Sequence, residues 1–143
     1  MKKYALIGHP LGHSLSPHIH SRLMTLAGTD GSYELLDIPP EKLADSFSEL
    51  SHLDGFNATI PHKVGIIPYC SRLDSSAERF GSVNCVKNGE EKVGYNTDVF
   101  GFTRSIDMLG AQHTPNWRRA AKALNWQART MMSSATATKT VWH

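Results

Sequence analysis

Three times before residue 70, a short apolar run stops at glycine or proline and hands over to apolar residues at helical spacing, which restricts the chain to alternating strands and helices. Tyr4-Ala5-Leu6-Ile7-Gly8 reads as a buried strand that ends in a loop. Ser16 followed by Pro17 is a helix start, with the serine as cap and the proline at the first helical position. Ile19, Leu23 and Leu26 then form an apolar stripe up to Gly28. Residues 33–38 repeat the strand, Pro39-Pro40 punctuates, and Leu43, Phe47 and Leu50 mark a second helix. The third unit is GFNATIPHK, residues 55–63, where Phe56, Ala58 and Ile60 alternate with Asn57 and Thr59. Pro61 ends that strand and starts a helix expected to reach about Tyr69, short or irregular because of Gly65 and Pro68.

Further on, Asp74 is placed to cap a short helix through Phe80. Val83-Asn84-Cys85-Val86-Lys87 and Lys92-Val93-Gly94-Tyr95 follow as β-like runs joined through Asn88-Gly89, a hairpin signal. After them comes a helix with Phe102, Ile106 and Leu109 on one face, stopping near Gly110 and capped by Thr97 or Asp98. The expected fold class is α/β: a mixed, mainly parallel sheet flanked by helices.

The 143 residues suffice for one domain of ordinary size, and 40% hydrophobic with 20% charged content is that of a globular chain. No apolar run approaches the ~20 residues of a membrane span, and the N-terminus lacks the pattern of a signal peptide. The expectation is a cytoplasmic protein with no membrane partner. Cys70 and Cys85 lack the spacing of a metal or redox pair and read as reduced, partly buried thiols. The net charge of +2 hides a split: residues 1–107 hold all 13 acidic residues against 10 Lys and Arg, whereas residues 108–143 hold five Lys and Arg and no acid. All three tryptophans lie in that second part. Residues 1–110 are therefore expected to form one domain, and residues 111–143 a basic tail of different character, helical from about Thr114 and disordered through its Ser, Thr and Ala end.

Four features carry chemistry. Ser14 and Ser16 lie two apart in a loop that meets a helix N-terminus, where hydroxyls and free N–H groups suit a carboxylate or phosphate; the alternative is a plain cap and turn. Lys63 follows Asn57 and Thr59 in the first turn of a helix, a poor place for a cation, which suggests an anion, a carboxylate or a proton to move; the alternative is a solvated surface lysine. Asn96-Thr97-Asp98 opens a helix, where a carboxylate either caps or orients a cationic partner. Asn84 is a polar residue in an apolar strand and must find partners. His9, His13, His18 and His20 cluster, but without a Cys or carboxylate at ligand spacing, so no metal site is expected. No glycine-rich phosphate loop is present.

Taken in order, GHPLGHSLSPHIH, NATIPHK, SVNCV and GYNTDVFG resemble the four motifs of the shikimate dehydrogenase family over residues 4 to about 110. The resemblance implies a substrate-binding domain in which Ser14 and Ser16 hold the carboxylate of shikimate while Asn57, Thr59, Asn84 and Asp98 bind its ring hydroxyls. It implies Lys63 and Asp98 as a catalytic pair, Lys63 exchanging the hydroxyl proton as hydride passes to or from NADP in the interconversion of shikimate and 3-dehydroshikimate, a step of aromatic amino acid biosynthesis. Ala58, Cys85 and Val99 depart mildly from the motifs, Cys85 at the cost of one hydroxyl contact. The implied partner is a small-molecule substrate; self-association is allowed, and nucleic acid is the less expected partner. The family's second domain, with its glycine-rich turn for the cofactor, has no counterpart in residues 111–143, which contain no glycine. The chain is therefore expected to be a truncated substrate-binding domain without a cofactor site, inactive by itself, its tail the product of a frameshift. A non-catalytic binding or regulatory protein using the basic tail is the alternative.

Overall fold

A computed structural model describes residues 1–108. Six strands form one sheet in the order β2-β1-β3-β5-β6-β4: β1 (Lys2–Gly8), β2 (Gly31–Asp37), β3 (Gly55–Ala58), β4 (Arg72–Leu73), β5 (Cys85–Lys87) and β6 (Val93–Tyr95). β2, β1 and β3 run parallel, β5 is antiparallel to both β3 and β6, and β4 closes the far edge parallel to β6. The sheet is mixed, as its sequence pattern requires. All six strands lie in one compact unit, Met1–Gly101.

β1 is an interior strand, covered on both faces because it is apolar on both: Ala5 and Ile7 are fully buried and Leu6 nearly so. On one face the core gathers Ile7, Phe56, Ala58 and Val86 from the strands with Leu43 and Leu50 of α2 (Leu43–Leu50), Ile66, and Ala77 of α4 (Ser75–Phe80). Each fully buried Ile or Leu contributes about 1.5–3 kcal/mol relative to an exposed one. Asp74 caps α4 as expected, its carboxylate accepting the Ser76 N–H at 2.9 Å.

Several local expectations are corrected. α1 (Ser16–Leu26) is not capped by Ser16: Leu15 occupies the cap position, and Ser14 Oγ accepts the Ser16 N–H at 3.2 Å. Its apolar stripe does not reach the core, since Ile19, Leu23 and Leu26 stay half or more exposed. β3 ends at Ala58, leaving Ile60 exposed, and the helix after Pro61 splits into α3 (His62–Gly65) and a 3₁₀ turn at Ile67–Tyr69. The hairpin forms, but β5 and β6 pair through Lys87 and Val93, so the connection is residues 88–92 and not a two-residue turn. Asn88 is drawn inward instead, donating to the carbonyls of Leu50 and Leu53 at 2.8 Å each. β4 carries too few residues to show a period. α5 (Thr97–Met108) starts where expected; Leu109, Gly110 and the whole tail lie outside the described residues.

Candidate active site

β1 leads to β2 on one side and the chain then returns to β3 on the other, so the carboxyl ends of β1 and β3 flank a switch in strand order, the usual position of a ligand crevice in open α/β sheets. The loop carrying Ser14 and Ser16 leaves β1 there, and Thr59 and Lys63 follow β3. The two segments are pressed together: His9 N–H donates to Ile60 O at 3.1 Å, and a Cβ on Gly8 would lie 2.5 Å from Thr59 Cγ2. Glycine at position 8 is therefore a steric requirement of this approach.

Lys63 Nζ donates to Asp98 Oδ2 at 2.5 Å, with side chains 30% and 52% exposed, so the pair is open to a ligand and screened by water. Asp98 stands in the first turn of α5, where the helix dipole favours a carboxylate. It does not cap, and neither does Thr97. Asn96 takes that role, accepting the Val99 N–H at 3.3 Å while its buried amide donates to Ser82 Oγ at 2.7 Å. Both carboxylate oxygens of Asp98 are thereby left for side chains: one for Lys63, the other for Asn84 Nδ2 at 2.7 Å.

Asn84 is the junction of the site. Its amide also donates to Thr97 Oγ1 and its Oδ1 accepts the Thr97 N–H, both at 2.8 Å. Its backbone carbonyl accepts from Ala58 N and from Asn57 Nδ2. Lys63, Asp98, Asn84 and Asn57 are thus joined in one chain of hydrogen bonds. Ser14 and Ser16 are linked to each other where the neighbouring loop enters α1, and Thr59 is tied to the end of β1, its N–H donating to Ile7 O at 2.9 Å.

Two further residues at the site had no sequence signal of their own. Tyr33 of β2 donates its hydroxyl to Asn57 Oδ1 at 2.8 Å and stacks on His20 of α1 at 4.0 Å. Burial, with a smaller contribution from the Cys85 thiolate, pushes the Tyr33 hydroxyl up to about 12. Burial also raises the Cys85 thiol and lowers the His20 imidazolium. Asp37, at the end of β2, accepts the Leu11 N–H at 2.9 Å and pairs with His9 Nδ1 at 2.6 Å, contacts that hold its carboxyl below the usual range. The carboxylate that the histidine cluster lacks in sequence thus arrives from β2, but among the described residues it meets one histidine, His9. Among the described residues no three His, Cys, Asp or Glu side chains gather as metal ligands. A cleft of about 520 Å³ opens on the α1 side of the sheet, lined by Tyr4, Leu23, Tyr33, Phe56 and Cys85; of the expected site residues only Asn57 borders it.

Among known proteins, the family model described as the shikimate dehydrogenase substrate binding domain matches residues 6–86. The shikimate dehydrogenase (NADP(+)) of Exiguobacterium sibiricum is 45% identical over 107 residues, which are 73% of this chain and 41% of that protein. The enzyme of the same name from Bacillus subtilis is 43% identical over 110 residues, 74% of this chain and 39% of that one. This chain therefore spans about two fifths of the length of these relatives. Among solved structures, Aquifex aeolicus shikimate dehydrogenase superposes with a TM-score of 0.73 at 37% identity, over 76% of this chain and 42% of that one. The Thermus thermophilus enzyme in complex with NADP(H) and shikimate gives 0.72 at 36% identity, over 77% and 43%. No helix among the described residues is long and apolar enough to cross a membrane. Sequence match and superposition agree, and the chain belongs to the shikimate dehydrogenase family.

Proposed function

We propose that residues 1–110 bind shikimate or 3-dehydroshikimate at the carboxyl ends of β1 and β3, as the substrate half of an NADP-dependent shikimate dehydrogenase. The observation that carries this reading is the Lys63–Asp98–Asn84 network, in which a solvent-accessible cation and carboxylate meet at 2.5 Å beyond the carboxyl end of β3. A ring hydroxyl set beside the Lys63–Asp98 contact, within reach of both side chains, has a partner able to exchange its proton and a carboxylate able to orient it. In the reducing direction the Lys63 ammonium delivers a proton to the oxygen that becomes the hydroxyl; in the oxidising direction the neutral amine removes it. Asn57, Thr59 and Asn84 supply directed contacts to the ring, and the Ser14 and Ser16 hydroxyls to the substrate carboxylate.

Among the described residues the nicotinamide carrier finds no glycine-rich cradle. The β1–α1 loop is already claimed by a carboxylate, since Asp37 takes the Leu11 N–H and pairs with His9 where a pyrophosphate would need free donors. The sequence of residues 111–143 contains no glycine and so no glycine-rich phosphate-binding motif. The 143-residue polypeptide accordingly binds substrate weakly and transfers no hydride by itself, and its setting is cytoplasmic. The test is an amide NMR titration of the ¹⁵N-labelled chain with shikimate, run beside an assay of NADPH formation. Shifts at Lys63, Thr59 and Asn84 at millimolar ligand, with no NADPH formed, are expected. An unchanged spectrum refutes substrate binding, and steady NADPH formation refutes the inactivity of the lone chain.

A further inference from the structure

We propose that His62 is the positioning residue for Lys63: its buried Nε2–H donates to the Ile38 carbonyl and ties the lysine's short helix to the ends of β1 and β2. His62 is 2% exposed, and its Nε2 lies 2.6 Å from Ile38 O. A carbonyl oxygen only accepts, so the ring proton sits on Nε2 in the neutral as well as the charged form.

The need for such a tie follows from the size of α3. Four residues make one turn, far below the length at which a helix holds itself in water, and no side chain caps its start. Its backbone anchors are the His62 N–H on Thr59 O at 2.8 Å and the Val83 N–H on Lys63 O at 2.7 Å. Both fix the turn to its own strand and to the segment before β5. His62 adds the missing direction. Ile38 N–H donates to Gly8 O at 2.9 Å, and His9 N–H donates to Ile60 O, two residues before His62. The link from His62 to Ile38 therefore closes a ring across the carboxyl ends of three parallel strands, with Lys63 next to the closure. A buried hydrogen-bonding side chain beside an exposed ion pair fixes where the lysine backbone stands, so that Nζ reaches Asp98 and not solvent.

This rests on the role proposed for Lys63, but its test has a readout that needs no substrate. His62→Gln places an amide N–H near the position of Nε2; His62→Asn is equally polar and stops short of Ile38. In each variant of the full 143-residue chain, labelling of Lys63 by a small amine-reactive ester is read by mass spectrometry relative to Lys3, with Asp98→Asn as the reference for a released lysine. We expect H62N to raise Lys63 labelling about threefold, as loss of a half-exposed pair allows, and H62Q to stay near the unsubstituted chain. Shikimate affinity should follow the same order, falling about five- to tenfold in H62N. Equal Lys63 labelling in folded H62N, H62Q and unsubstituted chain overturns the proposal, as does a ¹⁵N signature of an unprotonated Nε2. If the unsubstituted chain binds no shikimate while the labelling order holds, the substrate assignment fails and the positioning role stands.

Discussion

Asp98 receives Lys63 Nζ on one carboxylate oxygen and Asn84 Nδ2 on the other, at 2.5 and 2.7 Å, so that a residue of α3 and a residue that precedes β5 meet on one carboxylate of α5. Because both members of the ion pair are substantially solvated, the pair contributes at most about 1 kcal/mol to stability. Asp98→Asn is therefore expected to leave the urea midpoint nearly unchanged while weakening shikimate binding at least about tenfold, a difference of ~1.4 kcal/mol. Titration calorimetry beside urea unfolding checks this, and a large loss of stability with unchanged affinity would assign the pair to the scaffold.

Asn96 is expected to behave in the opposite way. Its amide satisfies Ser82 and caps α5, and it is 5% exposed. Asn96→Ala removes the cap and takes its partner from the half-buried Ser82 hydroxyl, which costs about 1–2 kcal/mol. Urea unfolding should show the loss directly, and Asn96→Asp, which keeps the acceptor for the Val99 N–H, should recover part of it.

Gly8→Ala tests the contact between the serine loop and β3. The added methyl would meet Thr59 Cγ2 at 2.5 Å, Leu11 Cδ2 at 2.6 Å and Ile60 O at 3.1 Å, and the last is backbone that cannot swing aside. The expected cost is about 1–3 kcal/mol, with a loss of shikimate affinity because Ser14 and Thr59 are driven apart. Combining Gly8→Ala with Thr59→Ser, which deletes the clashing methyl, should restore part of the stability.

Tyr33 predicts an alkaline limb in the stability profile. The folded chain holds its hydroxyl protonated up to about 12, against an ordinary value of 10, so the unfolded chain loses that proton first. Stability is unaffected below pH 10 and falls as pH rises from there through about 12. Tyr33→Phe should flatten that limb in denaturant unfolding. In absorbance at 295 nm, one of the four tyrosines should titrate last and vanish in the variant.

The acid limb has the reverse sign. Asp37, Asp54 and Asp74 are held below the usual carboxylate range, Asp37 mainly by the Leu11 N–H, Asp54 by Lys2 and Asp74 by Ser76. Their contributions are present above the unfolded value near 4 and are lost as pH falls through the lower folded values. Asp54→Asn should shift the acid midpoint toward neutral pH, as read by far-ultraviolet circular dichroism.

Short-range pattern was enough for much of this molecule. Tyr4 to Ile7 reads as a buried strand because nothing but apolar side chains can be buried on both faces, and Asp74 reads as a cap because its carboxylate needs only the N–H groups of the next turn. The four motifs that resemble the shikimate dehydrogenase family marked Lys63, Asp98, Asn57 and Asn84, and the structure joins these four through hydrogen bonds. Where sequence and structure part, the deciding partner is distant along the chain. Leu23 and Leu26 follow helical spacing whether or not a core awaits them, and they remain exposed. Asn96 displaces Thr97 and Asp98 as the cap because Ser82, Lys63 and Asn84 compete for these side chains from other elements. Asp37 finds His9 across 28 positions, and His62 finds Ile38 across 24. The sequence by itself determined the alternating elements, the family and the residue types of the site, all of which depend on periodicity and local spacing. The tertiary structure alone decided which polar groups face one another, because a hydrogen bond requires two atoms within about 3 Å and only the assembled sheet brings the ends of β1, β2 and β3 that near.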